Sequence, residues 1–106
     1  MKLRFVCTCG ACPEQYDIWD DDQNIMVAYV RYRCGTLTVN PYNPEVYKRK
    51  NYFGDEVDDQ EIDWSTVILS ESIGDGLDGC FDDNEREGIL KRIEEAVLKF
   101  YQDKEK

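Results

Sequence analysis

The stretch Ile25-Met-Val-Ala-Tyr-Val-Arg-Tyr-Arg-Cys-Gly-Thr-Leu-Thr-Val-Asn40 alternates apolar and polar residues on both sides of Cys34-Gly35, the pattern of a β-hairpin. A two-residue turn at Cys34-Gly35 opposes Arg33 with Thr36, Tyr32 with Leu37, Arg31 with Thr38, Val30 with Val39 and Tyr29 with Asn40. Directly opposed residues share a face. One face then carries Val30, Tyr32, Leu37 and Val39, extended by Met26 and Ala28, and the other carries Tyr29, Arg31, Arg33, Thr36, Thr38 and Asn40. Cys34 is the odd residue, because cysteine is poorly suited to the positive φ of a type I′ turn.

Around this hairpin the chain reads as one α+β domain over residues 1–106. Lys2 to Cys7 alternates and predicts a first strand with Leu3 and Phe5 inward. Cys9-Gly-Ala-Cys-Pro13 interrupts it, and Gln15 to Trp19 resumes as a second strand that joins the hairpin through the polar tip Asp20-Asp-Asp-Gln-Asn24. These strands form an antiparallel meander. Asn43-Pro44 has the start chemistry of a short helix, but residues 41–62 show no sustained period and read as a long excursion, the first place to look for a partner contact. Its basic Lys48-Arg49-Lys50 is expected to pair internally with the acidic run behind it.

Trp64 to Ser70 is dense in β-branched and aromatic residues and predicts the last strand. After the Gly74-to-Gly79 turn, Asp82 and Glu85 stand at capping-box spacing. Ile89, Leu90, Ile93, Ala96, Val97, Phe100 and Tyr101 then recur at helical spacing. The expected fold is an antiparallel β-sheet of four to five strands covered on one face by a C-terminal α-helix.

At 106 residues, the chain is long enough to bury a core without a disulfide scaffold. No apolar run reaches the roughly 20 residues of a membrane span, and the opening apolar segment is short for a signal peptide, so the expected setting is the cytoplasm. The formal charge is −10, and fifteen of the 23 acids fall in three blocks without Lys or Arg: Asp20, Asp21 and Asp22; Asp55, Glu56, Asp58, Asp59, Glu61 and Asp63; Glu71, Asp75, Asp78, Asp82, Asp83 and Glu85. That layout disfavours direct contact with nucleic-acid phosphates and suits a basic protein partner. The partner-facing candidates are Asp20, Asp21, Asp22, Tyr47, Tyr52, Asp55, Glu56, Asp58, Asp59, Asp75 and Asp78.

Cys7, Cys9 and Cys12 lie close enough in sequence to hold one zinc as thiolates, with Cys34 as a fourth ligand; small half-buried thiols explain the same residues without metal, and a redox or disulfide role is the third reading. A calcium loop at Gly74 to Glu85 fails on ligand spacing. Histidine is absent, no Gly-rich phosphate loop precedes a helix, and neither Cys12 nor Cys34 has an imidazole to activate it, so catalysis is not expected. On the polar hairpin face, Tyr29, Arg31 and Arg33 have the chemistry to receive an anionic ligand, or they form a solvated sheet face.

Cys12-Pro-Glu-Gln-Tyr-Asp17, Val27-Ala-Tyr-Val-Arg-Tyr-Arg-Cys-Gly35 and Gly74-Asp-Gly with Phe81 and Glu85-Arg86 resemble a group of small uncharacterised proteins of phages and prophages. The resemblance leaves out the 41–62 excursion and brings no activity or site residues with it. It implies a phage setting, in which small acidic proteins often inhibit host or defence machinery by binding it, sometimes by imitating the charge of DNA. The sequence as a whole therefore points to a non-catalytic acidic binding protein. A structural zinc module, and a ligand-sequestering protein using the arginine face, are the competing readings.

Overall fold

The computed structural model describes residues 1–9, 14–73 and 83–104. Seven strands, β1 (Leu3–Cys9), β2 (Glu14–Asp20), β3 (Ile25–Arg33), β4 (Thr36–Pro41), β5 (Tyr47–Lys50), β6 (Glu56–Asp59) and β7 (Leu69–Ser72), precede one helix, α1 (Asp83–Lys104). A five-stranded antiparallel sheet in the order β1-β2-β3-β4-β7 carries α1 on one face, and β5-β6 form a separate two-stranded hairpin. The fold is α+β, as expected.

The central hairpin has the register its alternation predicts, from Arg33 opposite Thr36 to Tyr29 opposite Asn40. Its turn residues Cys34 and Gly35 take φ of 55° and 75°, the doubly left-handed backbone of a type I′ turn. Leu3 and Phe5 of β1, Tyr16 and Ile18 of β2, Val30 and Tyr32 of β3, Leu37 and Val39 of β4 and Leu69 of β7 meet the helix on one side. Ile93 and Val97 of α1 are fully buried against them, flanked by Ile89, Leu90 and Tyr101. Burying each such aliphatic side chain contributes about 1.5–3 kcal/mol, so this apolar stripe rather than helix propensity holds α1 in place. At one end of the interface the carboxylate of Glu14, 4 % exposed, receives a two-pronged bond from Arg86. Farther along, Arg92 pairs with Glu71.

Three sequence expectations are corrected. Met26 does not lie on the apolar face: a β-bulge makes Val27 the extra residue of β3, so Met26 pairs with Trp19 on the opposite side. Val27 takes the inward place, and its carbonyl accepts from both Tyr42 N (3.2 Å) and Tyr101 Oη (2.5 Å). The last strand begins at Leu69 instead of Trp64, because Asp63 closes a turn first. Its Oδ1 accepts from Ser65 N (3.1 Å) and the Ser65 hydroxyl, and its Oδ2 accepts from Thr66 Oγ1 (2.8 Å). Those bonds hold the Asp63 carboxyl below its ordinary value. Finally, Asn43-Pro44 starts no helix; the chain runs through it into β5. The Asp82 cap lies outside the described residues.

Candidate functional site

The excursion is the first candidate, and most of it is strand. Lys48 opposes Asp58 and Lys50 opposes Glu56, so unlike charges face each other across the β5–β6 ladder, and Lys48–Asp58 and Arg49–Asp59 close as ion pairs. Two of the three basic residues are therefore satisfied internally, while Lys50 faces Glu56 across the ladder without an ion pair among the described residues. The tip is a tight turn. Asn51 Oδ1 accepts from Phe53 N (2.9 Å) and Asp55 N (3.0 Å), Asn51 N donates to Asp55 O (2.9 Å), and Gly54 takes φ 82°. This turn pushes two rings into solvent: Tyr52 is 97 % and Phe53 82 % exposed, and they meet edge to face with centroids 5.5 Å apart.

The hairpin is fixed at its base. Gln60, 7 % exposed, accepts from Met26 N (2.8 Å) through Oε1 and donates through Nε2 to Met26 O (2.8 Å) and Asn43 O (3.0 Å). Its side-chain amide thus substitutes for a strand partner beside the bulge. Tyr42 bridges Ile62, Asn43 N donates to Glu61 O (2.8 Å) and Asp63 N to Pro41 O (2.8 Å). Glu45 and Glu61, with Asn43 and Tyr47, line an acidic recess of about 300 Å³ at this base. The Tyr47 phenol is pushed up by desolvation and by the nearby Asp59 and Glu61 charges.

The remaining acidic candidates divide. Asp20 is 1 % exposed, and its Oδ1 accepts from Asp22 N (3.0 Å), so it builds the β2–β3 turn from inside. Asp21 holds Arg4 (2.9 Å) and Asp22 faces the terminal amine (3.6 Å). Asp55 and Glu56 are exposed beside the aromatic tip with no ion pair among the described residues. Asp75 and Asp78 lie outside the described residues.

The second candidate is the sheet face opposite α1. Gln15, Arg31, Thr38 and Ser70 lie in one row across the strands, with Arg33, Thr36 and Ser72 in the next row toward the hairpin turn. Arg31, Arg33, Cys34, Thr36 and Thr38 line a shallow groove of about 300 Å³. On the other side of Arg31, Tyr29 meets Trp64 edge to face at 5.9 Å, and Asp17 is engaged by Tyr42 Oη at 2.6 Å. Burial and the Asp17 charge push the Tyr42 phenol upward.

The two cysteines whose side chains are described do not gather. Cys7 and Cys34 are free and exposed. Cys7 aligns through Tyr16 with Val30, two strand spacings or roughly 10 Å across the sheet. Cys34 lies four residues beyond Val30, roughly 13 Å along β3. Thiolates on one zinc each sit about 2.3 Å from it, so Cys34 does not complete a site built on Cys7. The Cys9 side chain and Cys12 lie outside the described residues. No group of three metal-ligating side chains occurs among the described residues, and no helix there is long and apolar enough to cross a membrane.

Sequence reasoning passed over Phe53, Gln60 and Trp64. Phe53 had a usable signal, because Asn51 and Gly54 stand three apart between runs of opposite charge. Gln60 and Trp64 had none, since their partners lie 34 and 35 residues away in the chain. No protein family, curated protein or solved structure matches the chain.

Proposed function

We propose that the protein is a non-catalytic binding protein that docks onto a basic protein partner through the β5–β6 hairpin. The observation that carries this reading is the Tyr52–Phe53 tip, two large rings almost wholly in water on a turn whose backbone is already fixed. Aromatic anchors held rigid before binding lose little conformational freedom, and such residues dominate interface energetics. The charge of the partner follows from the surroundings: Lys48 and Arg49 are spent on Asp58 and Asp59, leaving Glu45, Asp55, Glu56 and Glu61 against the single cation Lys50, so the field around the hairpin is acidic. An apolar pocket rimmed by Lys or Arg complements this surface. With the phage resemblance, the class of partner is a host or defence protein that ordinarily binds DNA, inhibited by acidic groups standing in for phosphates.

The test is quantitative capture from host lysate with mass spectrometry, comparing the native chain with a Tyr52→Ala/Phe53→Ala double variant. Neither ring belongs to the core, so the variant folds. The expected result is a protein retained by the native chain, lost in the variant and released steeply with rising salt. Equal retention by both chains overturns the reading.

A further inference from the structure

We propose that the open face of the sheet holds a binding site for a small phosphate-class oxyanion, centred on Arg31 and Arg33. This site is independent of the hairpin and of the docking function proposed for it.

The arginines of this chain sort by face. Arg4, Arg49, Arg86 and Arg92 each hold a carboxylate, while Arg31 and Arg33 have no acidic partner among the described residues, in a chain with 23 acids and 13 bases. Strand alternation produces this segregation. The acids nearest in the sheet, Glu14 and Glu71, occupy positions that turn them to the helix side, where Arg86 and Arg92 take them. What remains around Arg31 and Arg33 on the open side is Gln15, Thr36, Thr38, Ser70 and Ser72, with one carboxylate beyond them, Asp17 opposite Tyr29, which Tyr42 Oη engages at 2.6 Å.

A second, separate observation points to a missing acceptor. Arg31 Nε is buried and has no hydrogen-bond partner among the described residues. Buried donors are nearly always satisfied, and an unsatisfied one is a standing cost that a bound acceptor removes. The groove that Arg31 and Arg33 line with Thr36 and Thr38 supplies the space, about 300 Å³.

The donor set selects the ligand. Two guanidinium forks and two threonine hydroxyls offer more donors than the two oxygens of a carboxylate accept, whereas a phosphate monoester brings three oxygens and close to two negative charges. Two cations match a dianion. A polyanion is excluded by the remaining acidic surface, and the groove holds a phosphate with a small organic group rather than a nucleic-acid backbone.

The site is tested by nitrogen-resolved NMR of the full chain titrated with inorganic phosphate, methyl phosphate and acetate at constant ionic strength. The expected result is a saturable shift of the Arg31 Nε–H and of the Thr36 and Thr38 amides with both phosphates, and at least tenfold weaker binding of acetate. Arg33→Gln, at an exposed position, is expected to weaken methyl phosphate at least tenfold without unfolding the chain, and Arg31→Gln to abolish the shift. Shifts that do not saturate, or that persist in Arg33→Gln, mean an adventitious ion only and overturn the site. So does a change of the Arg31 Nε–H signal in Asp75→Asn/Asp78→Asn before any anion is added, since the acceptor is then the chain's own carboxylate.

Discussion

Arg86 grips Glu14 with two parallel bonds, Nε to Oε2 at 3.0 Å and a terminal nitrogen to Oε1 at 2.9 Å, joining the first turns of α1 to the start of β2. The carboxylate also accepts from the Tyr16 hydroxyl. Removing one partner of a buried pair strands the other charge, at a cost of about 3–5 kcal/mol. Arg86→Met is therefore expected to lower stability by about 3 kcal/mol, the smaller end because Tyr16 remains. In a Glu14→Gln/Arg86→Met double variant most of that loss returns. Urea denaturation of the three chains checks both statements.

Gln60→Leu keeps the volume and deletes the amide that serves Met26. With the Met26 N–H and C=O both left without partners, the expected loss is about 1–3 kcal/mol. Hydrogen exchange distinguishes this from a general effect: the Met26 amide loses protection far more than Val30 does, and the β5–β6 ladder stays paired.

Cys34→Asn is expected to stabilise the protein. A non-glycine residue in the left-handed region costs about 1–2 kcal/mol, and asparagine tolerates it better than most. Cys34 sits there with φ 55° and is exposed, so nothing in the core depends on its thiol. Thermal unfolding should show a rise of a few degrees, with the register of β3 and β4 unchanged.

At high pH the buried phenols set the limit. Tyr16 is pushed up to about 12 by burial, then by the bond to Glu14 and its charge; burial alone takes Tyr101 to about 12. Tyr42 moves the same way. The folded state favours the protonated phenol, so this stabilisation is complete below the ordinary value of 10 and is lost as pH rises from there toward 12. The urea midpoint should fall across that window, and Tyr101→Phe should flatten the fall. Ultraviolet phenolate absorbance is expected to rise in two stages, exposed rings first.

The central hairpin was readable because two signals agree there: a period of two over the whole span and a glycine at the point where both strands reverse. The helix stripe was readable for the same reason at period 3.6, with Ile93 and Val97 inward. Where one signal was missing, the reading slipped. Trp64 to Val67 has strand composition, but the short-range bonds of Asp63 are stronger local instructions than β-propensity. Residues 47–59 carry no apolar alternation at all, since their pairing is written in opposed charges. Met26 and Gln60 depend on a bulge that only the assembled sheet reveals. At the candidate sites, the sequence named Tyr52, Arg31 and Arg33 by residue type; which arginines go without carboxylates emerged only with the faces.

The excursion leaves the sheet after Tyr42 and returns at Ile62, and the two residues touch. Beyond that crossing β5 and β6 pair with each other, and the bonds back to the sheet come from Gln60, just past the end of β6. Residues 44–59 are thus an exchangeable cassette: their length and tip chemistry are free to change without disturbing the register or core of the sheet. One pair of rings at the tip can be traded for another while the folding problem stays solved.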